Sequence, residues 1–153
     1  MIFVIASLLG SWSLRRSIDN GASMTGIATF RDSGGGRYLY AEEGCLRLAD
    51  GQTVDAARRY IFEETDGGFA VLFAETPPRL FHRIVLHRVG SSLVGAGTHV
   101  CGDDRYDSRY RFQADGSFAV EHAVSGPRKR YALATRYARE PIRRFDEAAS
   151  VWR

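Results

Sequence analysis

Short runs with an apolar residue at every second position, separated by tight-turn sequences, recur along almost the whole chain and constrain its fold more than any other feature. Runs of this kind read as half-buried strands. The candidates are Trp12–Ile18, Thr25–Arg31, Tyr38–Glu43, Cys45–Ala49, Arg58–Glu64, Phe69–Glu75, Leu80–Val89, Gly97–Asp103, Tyr106–Gln113, Ser117–Ser125 and Lys129–Arg139. Between them, Asp19-Asn20-Gly21, Ala49-Asp50-Gly51, Asp66-Gly67-Gly68 and Asp115-Gly116 supply residues that tolerate the positive φ of hairpin turns. Short strands joined by hairpins in a chain of 153 residues must hide their edges, and closing the sheet on itself removes them. The expected fold class is therefore all-β: an antiparallel up-and-down β-barrel of about 8–10 strands over roughly residues 10–139, within a single domain spanning 1–153. A barrel of this size can leave an internal cavity.

Two segments read differently. Pro141 to Trp152 places Ile142, Phe145, Ala149 and Trp152 at spacings of three, four and three, a short amphipathic helix over about 141–152 that would lie on the outside of the barrel. The first nine residues are either one helical turn plugging a barrel end or the lead-in to the first strand. Met1 to Leu9 is apolar but too short to span a bilayer and carries no Lys or Arg before it, which argues against a secretory signal and against a membrane partner.

Charge narrows the function classes. The chain has 21 Lys+Arg against 18 Asp+Glu, with arginines scattered rather than gathered in one stripe, so no nucleic-acid partner is expected. Cys45 and Cys101 stand far apart with no CxxC pair, which fits a reduced, cytoplasmic setting. A phosphate loop, a GxSxG elbow, a dinucleotide fingerprint and an HExxH pair are all missing from the sequence, so no common enzyme class is marked and no cofactor is indicated.

Gly10-Ser11-Trp12 just before the first strand, together with Thr135-Arg136-Tyr137-Ala138-Arg139 closing the last, resembles the lipocalin and fatty-acid-binding-protein arrangement. That resemblance implies a lipocalin-like (calycin) barrel in which Trp12 plugs the closed end and Arg139 packs across its ring. The wider pattern adds Ser13-Leu14-x-Arg16, Tyr60-x-Phe62, Phe81-His82, His99-x-Cys101-x-x-Asp104-x-Tyr106 and Gly126-Pro127-x-Lys129-x-Tyr131. It resembles a family of small calycin-like proteins over residues 9 to 139, a family with no assigned activity or cofactor. Haem-binding nitrobindin-like barrels also open with Gly-x-Trp, but here the motif runs on as Ser13-Leu14-Arg15-Arg16 and the last strand has no histidine, so haem is not implied.

If Trp12 points inward, strand alternation assigns the faces. Lys129, Tyr131, Leu133, Thr135 and Tyr137 then share the inner face of the last strand, and His122 stands among Phe118, Val120 and Val124. The interior so predicted holds aromatic rings and a few polar tips, namely Tyr40, Glu42, Tyr60, His82, His99, Cys101, Tyr110, His122, Lys129, Tyr131 and Tyr137. Apolar walls with convergent polar groups describe a small-molecule cavity, with Tyr40, Tyr60, His82, His99, Cys101, Tyr110, His122, Lys129 and Tyr131 as ligand-binding candidates. The same groups could instead satisfy one another inside a filled barrel.

Three sharper readings stand beside this one. His99 and Cys101 point the same way and could join His82, His122 or Asp103 around zinc or iron, although one pair of donors does not define a metal site. Cys101 could act as a nucleophile, with His99, Asp104 or Tyr106 assisting in an enzyme acting on a small hydrophobic metabolite. Lys129, with Arg16 or Arg139, could receive an anion at the cavity floor, or be neutralised by Glu42 or another acid of this chain. A protein whose exposed arginines or C-terminal helix meet another chain is the remaining alternative.

Overall fold

The computed structural model describes residue 3 and residues 5–140 of the chain, and the helix expected over 141–152 lies outside the described residues. A 3-10 turn, Ile5–Leu8, leads into β1 (Gly10–Ile18), β2 (Ser23–Gly34), β3 (Arg37–Arg47), β4 (Thr53–Thr65), β5 (Gly68–Phe73), β6 (Arg79–Val85), β7 (His87–Val89), β8 (Ser92–Cys101), β9 (Asp104–Phe112), β10 (Phe118–Ser125) and β11 (Arg130–Arg139). The eleven strands of the described residues form one antiparallel sheet in the order β6-β5-β4-β3-β2-β1-β11-β10-β9-β8-β7. Every neighbour in that order is also a neighbour in sequence except β1 and β11, which pair in register from Trp12↔Arg139 to Ile18↔Leu133. The result is an up-and-down, nearly closed β-barrel with one strand more than the upper end of the expected range.

Two strand readings change. Tyr38–Glu43 and Cys45–Ala49 belong to the single strand β3, because Gly44 is not a break but a close crossing: a Cβ there would stand 2.7 Å from the Cα of Gly26 on β2. Leu80–Val89, in contrast, is two strands. At Leu86, whose N–H donates to the Gly67 carbonyl at 2.9 Å, the chain leaves β6 on one edge of the sheet and enters β7 on the other. This switch brings the two edges together, and β8 lies across β6 at the seam. Gly95 and Gly97 permit that approach: a Cβ on Gly95 would lie 2.7 Å from the Val85 carbonyl oxygen, and one on Gly97 would lie 3.0 Å from that of Arg83.

One end of the barrel is sealed. The 3-10 turn buries Ile5 and Leu8, so Ile5–Leu8 form a plug, and the Trp12 indole N–H donates to the Leu8 carbonyl at 2.8 Å. Arg139 lays its guanidinium 4.0 Å from the centre of the Trp12 ring and donates to the carbonyls of Leu9 and Ser7 at 2.6 and 2.8 Å. Above this plug Phe30, Phe62, Phe69, Phe118 and Tyr137 fill the bore with edge-on and stacked contacts, among them Phe118 on Tyr137 at 4.3 Å. Rings of this size bury large apolar areas and leave little free space.

Candidate functional site: a cup at the open end of the barrel

Halfway up the bore the fold buries a polar network. Inward positions on β1 and β3 carry Arg16 and Glu42, whose side chains are 11% and 3% exposed. The Arg16 guanidinium donates to both carboxylate oxygens of Glu42 at 2.7 and 2.9 Å, and its Nε donates to the Thr135 hydroxyl at 2.7 Å. The Tyr40 hydroxyl donates to Glu42 at 2.6 Å and shares a hydrogen bond with the Tyr137 hydroxyl at 2.8 Å. Burial penalises the Glu42 carboxylate, but the hydrogen bonds and charge of Arg16, with the Tyr40 hydroxyl, outweigh it and hold its pKa below the ordinary value. Burial also pushes the Tyr137 phenol up to about 12, helped by the Glu42 charge. These groups are charged or neutral in fixed roles, and they satisfy one another.

A bulge in the β5–β6 pairing, at Val71/Leu72, turns two consecutive residues of β6, Phe81 and His82, into the interior. His82 shares a hydrogen bond with the Tyr110 hydroxyl at 2.8 Å through Nε2, while its buried Nδ1 has no hydrogen-bond partner. Burial, then the proximity of His122 and His99, lowers its pKa to about 3. His122 bonds the Ser108 hydroxyl at 2.7 Å through Nδ1, and burial followed by the charges of Arg16 and Arg58 lowers its pKa to about 4. Both imidazoles are therefore neutral at pH 7.

Arg58, Tyr60, Phe81, His122 and Leu133 divide the bore in two. Below them lies a cavity of about 30 Å³, enough for one or two waters. Above them the barrel opens into a cup of about 480 Å³, walled by Phe73, His99, Tyr106 and Tyr131 and rimmed by Arg59, Glu75, Arg79 and Cys101. That volume falls within the range of small-molecule sites. The rings meet face to face or edge-on: Tyr60 stacks on Phe81 at 5.9 Å, and His99 stands edge-on to Phe73 and Phe81 at 5.6 and 5.4 Å.

The residues singled out in the sequence separate into three groups. Tyr60, His99 and Tyr131 line the cup, with His122 in its floor. Tyr40, His82 and Tyr110 lie deeper and are committed to internal hydrogen bonds. Cys101 and Lys129 are corrections, because both are exposed rather than internal. Cys101 is the last residue of β8 and interacts with Arg79 on the rim. Lys129 precedes β11, so strand alternation does not govern it, and it pairs with Asp104 at 3.3 Å and the Tyr106 hydroxyl at 3.4 Å. Neither Arg16 nor Arg139 is its companion, and of the expected neutralising acids it is another acid of the chain, Asp104, rather than Glu42, that holds it. Among the described residues no three His, Cys, Asp or Glu side chains gather as a metal site, so the donors imagined around His99 and Cys101 do not converge.

Phe73, Phe81, Arg58 and Arg79 were not among the ligand-binding candidates. Arg58 was legible by parity, since it stands on β4 two residues before Tyr60 and four before Phe62. The inward turn of Phe81 comes from the bulge, which leaves no local mark in the sequence.

The sequence profile of a family of unknown function (DUF6314) matches residues 8–139. No curated protein matches the chain. Among solved structures the chain is similar to EF1p2_mFAP2b bound to DFHBI, with 13% identity, a TM-score of 0.46 and coverage of 90% of this chain and 97% of that one. It is also similar to the redesigned β-barrel mFAP1 bound to DFHBI (14% identity, TM-score 0.44, 89% and 98% covered). A third is a fluorescence-activating β-barrel designed de novo (13% identity, TM-score 0.44, 92% and 100% covered).

Proposed function

The chain belongs to DUF6314, a family of unknown function, and from the geometry of its open end we propose that it is a binding protein holding one small molecule in the cup. The observation that carries this reading is the division of the bore. Below the floor Arg16, Glu42, Tyr40, Thr135 and Tyr137 are paired with one another around space for one or two waters, whereas about 480 Å³ above it is walled by aromatic rings and open to solvent. A ligand seated there would cover Phe73, Phe81 and Tyr131 without displacing any hydrogen bond of the core. The ligand occupies the mouth rather than the depth of the barrel. Two free cysteines suit a reducing compartment, and the proposal assigns the protein to the cytoplasm.

The test is titration with N-phenyl-1-naphthylamine, a neutral aromatic dye that brightens in apolar surroundings. A single saturable site is expected. Ala74→Trp, at an exposed position on the cup wall, should fill the cup and weaken the dye about tenfold or more while the melting temperature stays unchanged. Phe73→Asp should act in the same direction. A dye that fails to bind, or that binds both variants as it binds the wild type, overturns the assignment.

A further inference from the structure

On the reading that the cup is a small-molecule site, we propose that its ligand is a planar aromatic carboxylic acid, its ring held against Tyr60 and Phe81 and its carboxylate held by Arg58. Three independent features lead there: the shape of the walls, the depth of the space and the charge left over at the floor.

The walls are flat. Tyr60 and Phe81 are within 15° of parallel, Phe73 and Phe81 are 4.9 Å apart, and the His99 ring stands across both phenylalanines. Such a surface meets a planar ring by stacking or by edge contact, gaining more than area burial alone.

The space is short. Beneath the floor only about 30 Å³ is free, enclosed by Phe30, Phe62, Phe118 and Tyr137 among others. A long alkyl chain therefore has no bore to run into, and the ligand must be compact enough to lie within the cup.

The charge is positive and lacks an ion-pair partner. Arg79 is neutralised by Glu75, which it meets at 3.2 Å, and among the described residues Glu75 is the one acid lining the cup. Arg58 and Arg59 form no ion pair among the described residues. Glu42, which faces Arg58 across the β3–β4 pairing and feels its charge, already accepts from Arg16 twice and from Tyr40 once, and it makes no ion pair with Arg58. Arg58 donates only a long hydrogen bond of 3.3 Å to the Tyr60 hydroxyl, with its guanidinium 6.0 Å from the ring centre. It belongs to the floor, so its fork is offered at the level of the stacking surface. A planar guanidinium grips a carboxylate through two parallel hydrogen bonds, and a neutral group of the same shape gains neither their charge nor their geometry.

The experiment compares 2-naphthoate, 2-naphthylmethanol and decanoate by isothermal titration calorimetry on the whole protein. The acid should bind about tenfold more tightly than the alcohol, the gain expected of a charge-assisted pair that stays partly hydrated, and decanoate should bind more weakly than either. Arg58→Gln should lower affinity for the acid about tenfold and bring acid and alcohol within about twofold of each other. Far-ultraviolet circular dichroism checks that the variant is folded. Equal binding of acid and alcohol by the wild type, a preference that survives Arg58→Gln, or decanoate binding as tightly as naphthoate each overturns the aromatic-acid inference. In all three cases the neutral dye still marks an occupied cup, so the broader reading stands. If the dye and both naphthalenes fail to bind, the cup itself is wrongly assigned.

Discussion

Replacing Glu42 by glutamine tests the buried network at its most sensitive point. The side chains of Arg16 and Glu42 are 11% and 3% exposed and meet through two hydrogen bonds of 2.7 and 2.9 Å. Glu42→Gln keeps the shape and a carbonyl for Tyr40 but leaves the guanidinium charge buried without its counter-charge. Breaking such a pair costs about 3–5 kcal/mol, and because the amide still accepts hydrogen bonds the lower end, about 3 kcal/mol, is expected. For a chain of this length that corresponds to a melting point lower by on the order of 10 °C. The double variant Arg16→Met/Glu42→Leu removes both charges, so it should lose less than Glu42→Gln alone. Urea unfolding at pH 7, followed by circular dichroism, measures all the stabilities. There is also a pH signature. The folded-state pKa of Glu42 is depressed, so the pair's contribution is complete above the ordinary value of 4.5 and is lost as pH falls through the lower folded value. The variant should lack that part of the acid sensitivity. A loss below about 1 kcal/mol for Glu42→Gln, or a double variant at least as unstable as the single one, refutes the claim that Glu42 is the counter-charge that holds Arg16 in the barrel.

Two further predictions follow from the seam and from the histidines. Gly95→Ala places a methyl group 2.5 Å from Ile84 Cγ2 and 2.7 Å from the Val85 carbonyl oxygen, so it should cost about 2 kcal/mol as β8 is forced off β6; a thermal melt unchanged from wild type would mean that the seam does not depend on that approach. The His82 and His122 imidazoles should titrate near 3 and 4 in the folded protein, as read by NMR, against 6.5 when unfolded. Because the folded pKa values are lowered, stability is intact above 6.5 and falls with pH, by about 1.4 kcal/mol per unit for each histidine until its folded pKa is reached. Folded imidazoles titrating near 6.5 would refute their burial.

The barrel was legible because alternation and turn chemistry are local signals, and each strand carries its own. What escaped were events decided between strands. Gly44 inside β3 reads like a turn glycine, and only the crossing with Gly26 shows why a side chain is excluded there. The break at Leu86 follows the apolar run Ile84-Val85-Leu86 with no turn residue to mark it, so residues 80–89 read as one strand. Parity was also applied past the ends of elements. It assigned Lys129 to the interior although β11 begins at Arg130, and it carried Cys101 inward at the last residue of β8.

Parity also gives the face of a residue but not its depth along the bore, and depth is what separates the core network from the cup. Tyr40 and Tyr60 are directly opposed in the β3–β4 register and both face inward, yet one hydroxyl is bound by Glu42 and Tyr137 and the other meets only Arg58. The difference arises because low dielectric makes an unpaired buried charge costly. Deep in the barrel each charge has to find its counterpart within the chain, as Arg16 finds Glu42. Only near the mouth, where water shares the cost of an unpaired charge, can a cation remain uncommitted, and Arg58 stands at that boundary. The polar residues nearest the centre of a filled barrel are thus the poorest candidates for recognition, and the unpaired cation where the packing ends is the best.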